Sequence, residues 1–377
     1  MVNIMKYTPI LKWKEAEELS LRDLKNSQKE SILPLMEFVR PNKARKVSGE
    51  RKSTESVSDD ELIKKYSSDI PQKILLSWGD GRPFFADFSL ITPIRAKAGF
   101  SAGFFRKASK LHLDLIPVIN ISADTNDYIK HIVSLINEYS KHKICVRFSQ
   151  ADIERSSFLD STLHTFRNES YFMPSDISIL IDLKEEVSVK PFHKALEALC
   201  EIKSLEEYDN VIIASGAFPE NMSEITVEDD RRPRTDWLNW LDNKGAYHGL
   251  SRYPAYADYT IRHPIYNELA MNRRATPTIK YTLPEEWWFF KGKLHEYDMF
   301  LANASVLRAH KEFFGREFSS GDKYIDDKGL YFPEYIREKN KNPNKKIDGP
   351  GNAKTWLRAG INHHIAVVVD QLANLDE

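Results

Sequence analysis

Eight positions in this chain carry polar or ionisable side chains that could meet in one place: Lys12, Glu37, Asp87, Asn120, Arg147, Asp182, Ser215 and Asp258. Glu37, Asp87 and Asp182 offer the hard oxygen ligands that a divalent cation such as Mg²⁺ or Mn²⁺ takes. With Asp258 they form a set of candidate catalytic acids and bases. Lys12 and Arg147 could neutralise a phosphate or carboxylate, Arg147 by a two-pronged grip. Asn120 and Ser215 would add neutral hydrogen bonds, and Arg262 and His263 lie close enough in sequence to join them. Carboxylates, cations and amides gathered together suit metal-assisted hydrolysis or proton abstraction beside a carbonyl. The plainer alternative is a polar layer in which these residues satisfy one another and only support the fold.

What must bring them together is a series of short apolar runs, each ending near one of these residues. The runs are PILKW (9–13), ILPLMEF (32–38), PFFADFS (83–89), LIPVIN (115–120), ICVRFS (144–149), ISILIDL (177–183), NVIIASG (210–216) and YADYTI (256–261). Helix-like stretches separate most of them, among them DYIKHIVSLINEYSK with Ile129, Ile132, Leu135 and Ile136 on one face. Alternating strand and helix argues for a parallel sheet, and near-continuous Val, Ile, Leu and Phe for strands covered on both faces. Eight strands predict an α/β fold, a (β/α)₈ TIM-like barrel, whose site forms at the C-terminal strand ends. A doubly wound sheet is the rival, but its usual glycine-rich loop is missing after the first strand, which continues KWKEAEE.

The barrel is expected to span residues 1–265, with a polar insertion near 40–60. Within 59–89, DDELIKKYSSDI reads as a short helix, then KILLSW and PFFADFS as two strands around GDGR. VEDDRRPRTDWLNWLDNK reads as a charged loop entering a helix. Residues 266–377 are expected to form an extension packed on the barrel. TPTIKYTLPEEWWFFKGK reads as an extra hairpin, LHEYDMFLANASVLRAHKEFF as a helix, 319–352 as a surface region, and NAKTWLRAGINHHIAVVVDQLANL as an amphipathic C-terminal helix. Trp287 and Trp288 should pack against the barrel, and the adjacent His363 and His364 diverge by about 100° on a helix and suit packing rather than one metal. SGAFPEN (215–221) has backbone amides that could hold an anion, although Ser-Gly after a strand is common.

The formal net charge is −1, from 54 basic and 55 acidic residues. That balance removes any global electrostatic argument for nucleic acid or an anionic membrane and ranks a nucleic-acid-binding module last. The basic stretch 40–52 reads as a solvated loop. Cys145 and Cys200 read as small buried hydrophobes, consistent with the reducing cytoplasm. No run approaches the ~18 uninterrupted apolar residues of a membrane span, and the N-terminal stretch is not expected to be a signal peptide.

YTPILKWKEAEEL followed by ILPLMEF resembles the opening of the bacteriophage- and bacteria-associated beta protein family, in which a Tyr-x-Pro-x-Leu-Lys-x-Lys start precedes a strand ending Pro-Leu-x-Glu. Tyr7, Pro9, Leu11, Lys12, Lys14, Pro34, Leu35 and Glu37 match in place. ADFS, SGAFPEN, YADYTI and TWLRAGINHHI resemble later family stretches. The resemblance implies a phage-related setting and carries over no catalytic residues. Two readings follow. The first is a barrel enzyme or binder acting on a phosphate-bearing or nucleotide-like ligand. In the second, a non-catalytic component of a phage-related or antiviral defence system senses a ligand or a protein partner.

Overall fold

The computed structural model describes residues 6–40, 59–155, 157–226, 229–244, 250–267, 276–342 and 349–375. Most of the expected insertion, 41–58, and with it most of the basic stretch 40–52, lies outside the described residues.

All eight apolar runs form parallel strands of one closed barrel. In chain order these are β1 (Thr8–Trp13), β2 (Leu35–Phe38), β3 (Pro83–Asp87), β4 (Asp114–Asn120), β5 (Ile144–Ser149), β6 (Ile177–Asp182), β7 (Val211–Ala214) and, closing against β1, β9 (Ala255–Asp258). The period-two alternation of a strand sends successive side chains to opposite faces. Ile10, Leu35, Phe85, Ile116, Val118, Cys145, Leu180, Ile212, Ala214 and Ala257 therefore fill the interior. The alternate residues, among them Leu11, Met36, Phe84, Ile119, Val146, Ile179 and Ile213, form the core between strands and surrounding helices.

Those helices are α1 (Glu15–Arg22), α2 (Asn26–Glu30), α3 (Asp59–Ser77), α4 (Ile94–Lys110), α5 (Asn126–Tyr139), α6 (Gln150–Ile153), α7 (Phe158–Ser170), α8 (Val189–Cys200) and α9 (Thr235–Asn243). Capping fixes some starts: Thr125 Oγ1 accepts from the Tyr128 N–H at 3.3 Å at the head of α5. The KILLSW segment does not form a strand. It completes α3, because Ile63, Ile70, Ile74 and Trp78 recur at helical spacing and bury one stripe, leaving Leu76 exposed. Cys145 is buried, but Cys200, at the end of α8, is exposed rather than buried.

Beyond β9 the expected hairpin is present. β10 (Thr278–Thr282) pairs antiparallel with β11 (Glu286–Lys291), and both Trp287 and Trp288 are buried. One expectation is corrected here: the charged loop before α9 contributes an edge strand, β8 (Asp230–Pro233), which pairs with β11. The stretch expected as a surface region begins with a helix, α11 (Ser320–Lys341), which packs between α10 (Met299–Arg308) and α12 (Ala353–Ala373). Gly321 permits that approach, since a Cβ there would fall on the Ala359 carbonyl oxygen. The C-terminal helix is not simply two-faced. Nearly all of Ala359–Val368 is buried, with Ile361, Ile365 and Val368 in the barrel-side core and Trp356 stacked on Phe300 at 5.0 Å in the extension.

Candidate functional site at the barrel mouth

The strand register puts Lys12, Glu37 and Asp87 side by side, and Arg147 and Asp182 across the ring, one layer above the apolar interior. Arg147 is the hub. Its Nε donates to Asp182 Oδ2 at 3.0 Å, its Nη1 to Asp87, and its Nη2 to Glu37 Oε1 at 2.9 Å, to Asp182 and to Tyr259 Oη at 2.9 Å. The Tyr259 hydroxyl donates in turn to Asp182 at 2.8 Å. All four ionised side chains are nearly inaccessible to solvent.

Burial alone would push the Asp182 carboxyl upward. Arg147 and Lys184 outweigh it and hold Asp182 well below the ordinary carboxylate range. Asp87 is held low in the same way, against its own burial, by Arg147 and by the Ser89 N–H, which donates to it at 2.7 Å. Burial would lower the guanidinium, but Asp182 and its other partners outweigh it and drive Arg147 further up, so Arg147, Asp87 and Asp182 stay ionised.

Two lysines flank Tyr259, each with Nζ 5.0 Å from the ring centre. Lys184 is the solvent-facing one, its side chain 37% exposed, and it donates to Tyr259 Oη at 2.8 Å and lies 3.0 Å from Asp182. Its backbone sits in the left-handed region (φ 54°), as does Thr260 (φ 55°), conformations that non-glycine residues adopt at a cost and that gather at functional sites. Lys12 is buried. Its Nζ donates to the His263 and Pro264 carbonyls at 2.6 and 2.8 Å, and burial lowers its pKa to about 8, Glu37 only partly opposing.

The other expected residues fall elsewhere. Asn120 ends β4 at the mouth, half-buried and in register with Arg147 on β5, its backbone N–H given to Asp124 at 2.8 Å; its side chain is not among the guanidinium's acceptors given above. Ser215 lies buried after β7. The Ser215 and Gly216 amides donate to the Ala257 and Lys184 carbonyls, so that loop does not present them to an anion. Arg262 turns to Glu17 of α1, with Nη2 3.1 Å from Oε1, and the His263 ring faces Glu185.

Asp258 does not join the mouth. Ala257 and Tyr259 point inward, so Asp258 points outward and accepts from the Tyr7 hydroxyl, from Tyr256 at 3.1 Å and from His364 Nε2 at 2.8 Å. The inward residue at this strand end, missed in the sequence, is Tyr259. Lys184 was also missed, although it stands two residues beyond Asp182 and so shares its facing.

The cation at the centre of Glu37, Asp87 and Asp182, the residues expected as metal ligands, is Arg147. Among the described residues no group of three or more His, Cys, Asp or Glu side chains is arranged to hold a metal ion. His363 and His364 are both buried in polar contacts. His363 meets Asp322 through Nδ1 and the Thr282 carbonyl through Nε2, each at 2.8 Å. His364 Nδ1 meets Thr282 Oγ1 at 3.0 Å.

Among the described residues no helix is long and apolar enough to cross a membrane. No curated protein and no solved structure matches the chain. The family model described as Beta protein matches residues 7–370, nearly the whole length, and the chain belongs to that family.

Proposed function

We propose that the barrel mouth binds a small anionic ligand, phosphate-bearing or nucleotide-like, at Lys184 over a rigid ion-paired floor. The observation that carries this reading is the vertical order of charge. Asp87, Asp182 and the Oε1 oxygen of Glu37 lie beneath, paired with Arg147, while the exposed group above them is the Lys184 ammonium. An ammonium held in place on a phenol and two carboxylates meets an anion without further ordering. Asp87 and Asp182, held low by Arg147, make poor acids and bases, so that part of the floor supports recognition rather than carboxylate or metal chemistry. The same feature favours the second reading, a non-catalytic sensor in a phage-related system, over hydrolysis.

The test is thermal denaturation of the full chain in inorganic phosphate, AMP and ADP. A ligand that binds the folded state raises the midpoint as its concentration rises. At least one of these anions should raise it in the wild type, and Lys184→Ala should abolish the shift. A panel that leaves the wild-type midpoint unmoved counts against the reading.

A further inference from the structure

The mouth contains a second amine whose surroundings differ from those of Lys184. Lys12 Nζ has two hydrogen-bond acceptors, the His263 and Pro264 carbonyls at 2.6 and 2.8 Å. A neutral amine has two N–H groups; both are then used, and its lone pair is left over. An ammonium has a third N–H to place. Three cations, Lys184, Arg262 and Arg147, also disfavour a further positive charge here. Glu37 stands beside Lys12 on the neighbouring strand in register, and its Oε2 is buried with no hydrogen-bond partner among the described residues. A buried carboxylate oxygen without a partner among the described residues, on the strand beside an amine in a barrel mouth, offers a group that could carry a proton.

We infer that Lys12 is a nucleophilic amine that condenses with the carbonyl carbon of a small anionic aldehyde or ketone held at the mouth by Lys184. This rests on the anion-binding reading above and names the substrate class for it. The nitrogen lone pair forms the C–N bond as the C=O π pair moves to oxygen. One amine proton passes by way of Glu37 Oε2 to that oxygen, giving a carbinolamine. A second proton, from solvent, lets the hydroxyl leave as water and yields an iminium on Lys12. The two lysines thereby divide the work: Lys184 takes the anion and Lys12 takes the carbonyl.

The experiment uses the full chain with pyridoxal 5′-phosphate and sodium cyanoborohydride, which traps the iminium as a stable amine located by peptide mass mapping. Pyridoxine 5′-phosphate, the alcohol, is titrated in parallel as a probe of the anion site alone. A pKa of about 8 rather than 10.5 makes the neutral fraction of Lys12 near pH 7 about 300-fold larger than that of an ordinary lysine. Label should therefore concentrate on Lys12, rise with pH around a midpoint near 8 in the wild type, and disappear in Lys12→Arg. Label spread over exposed lysines with Lys12 unmodified overturns the inference. If pyridoxine 5′-phosphate still binds in that case, only the imine step has failed. If neither probe binds, the anion site has failed with it. The wild-type pH profile decides the matter even should Lys12→Arg fold poorly.

Discussion

Two buried polar clusters in this molecule use the same residue types to different ends. At the mouth, Arg147 ties Glu37, Asp87 and Asp182 together, and Lys184 carries the cluster out to solvent. Between barrel and extension, Tyr7, Asp258, His364, Thr282, His363, Asp322 and Tyr281 are joined by hydrogen bonds without any solvent-facing member. There, the His363 ring nitrogens bridge Asp322 and the Thr282 carbonyl. Burial keeps His364 neutral, with its pKa lowered, so it donates to Asp258 as an uncharged imidazole. Burial pushes the Asp258 carboxyl up, and His364 and Tyr7 outweigh that. The contrast separates a cluster built to be approached from one built to hold α12 against the barrel.

The largest effect should come from removing the hub. Arg147→Met leaves three buried carboxylates facing one another, and a loss of about 3–5 kcal/mol in denaturant unfolding is expected. A loss below about 1 kcal/mol would mean that the carboxylates are not held by Arg147. Next comes the interior cluster: His364→Leu leaves Asp258 Oδ2 with only the longer Tyr256 contact and should cost about 1–3 kcal/mol while leaving anion binding at the mouth unchanged. A large change in ligand affinity in that variant would erase the distinction between the two clusters.

A smaller signal lies in pH. Between about 8 and 10.5 an unfolded Lys12 holds its proton and the folded one releases it, so stability from this group rises with pH across that window. The slope is at most about 1.4 kcal/mol per pH unit. Lys12→Met should flatten it, and an unaltered slope would place Lys12 outside its assigned surroundings. Smallest of all should be the stability change in Lys184→Ala, within about 1 kcal/mol because the group is partly exposed, even though ligand binding is lost.

The fold was legible because its signal is repeated. Eight apolar runs, each long enough for a strand and each near a polar end, leave few architectures. KILLSW was misread because three adjacent apolar residues look like a buried strand, while the spacing of Ile70, Ile74 and Trp78 that reveals the helix is interrupted by Pro71. β8, with its sequence DRRP, has no alternation to read; it is a strand only because β11 offers an edge. α11 has glycine, proline and many polar residues, and its helicity comes from packing against its neighbours rather than from propensity. At the mouth, the strand ends bring Glu37, Asp87, Asp182 and Arg147 together, while Asp258, named with them, faces outward. Facing was not readable at β9, where Asp258 and Tyr259 are adjacent polar candidates and a single step reverses which one enters the barrel. Nor could the sequence tell that Arg147 would engage all three carboxylates, since that depends on ring closure.

The measurement that tests the central claim most directly is calorimetric titration of pyridoxine 5′-phosphate into the wild type, Lys184→Ala and His364→Leu at low and high salt. Saturable binding in the wild type and in His364→Leu, weakened by salt and absent in Lys184→Ala, is the result this account requires. Binding that survives Lys184→Ala, or is lost in His364→Leu while that variant remains folded, would contradict it.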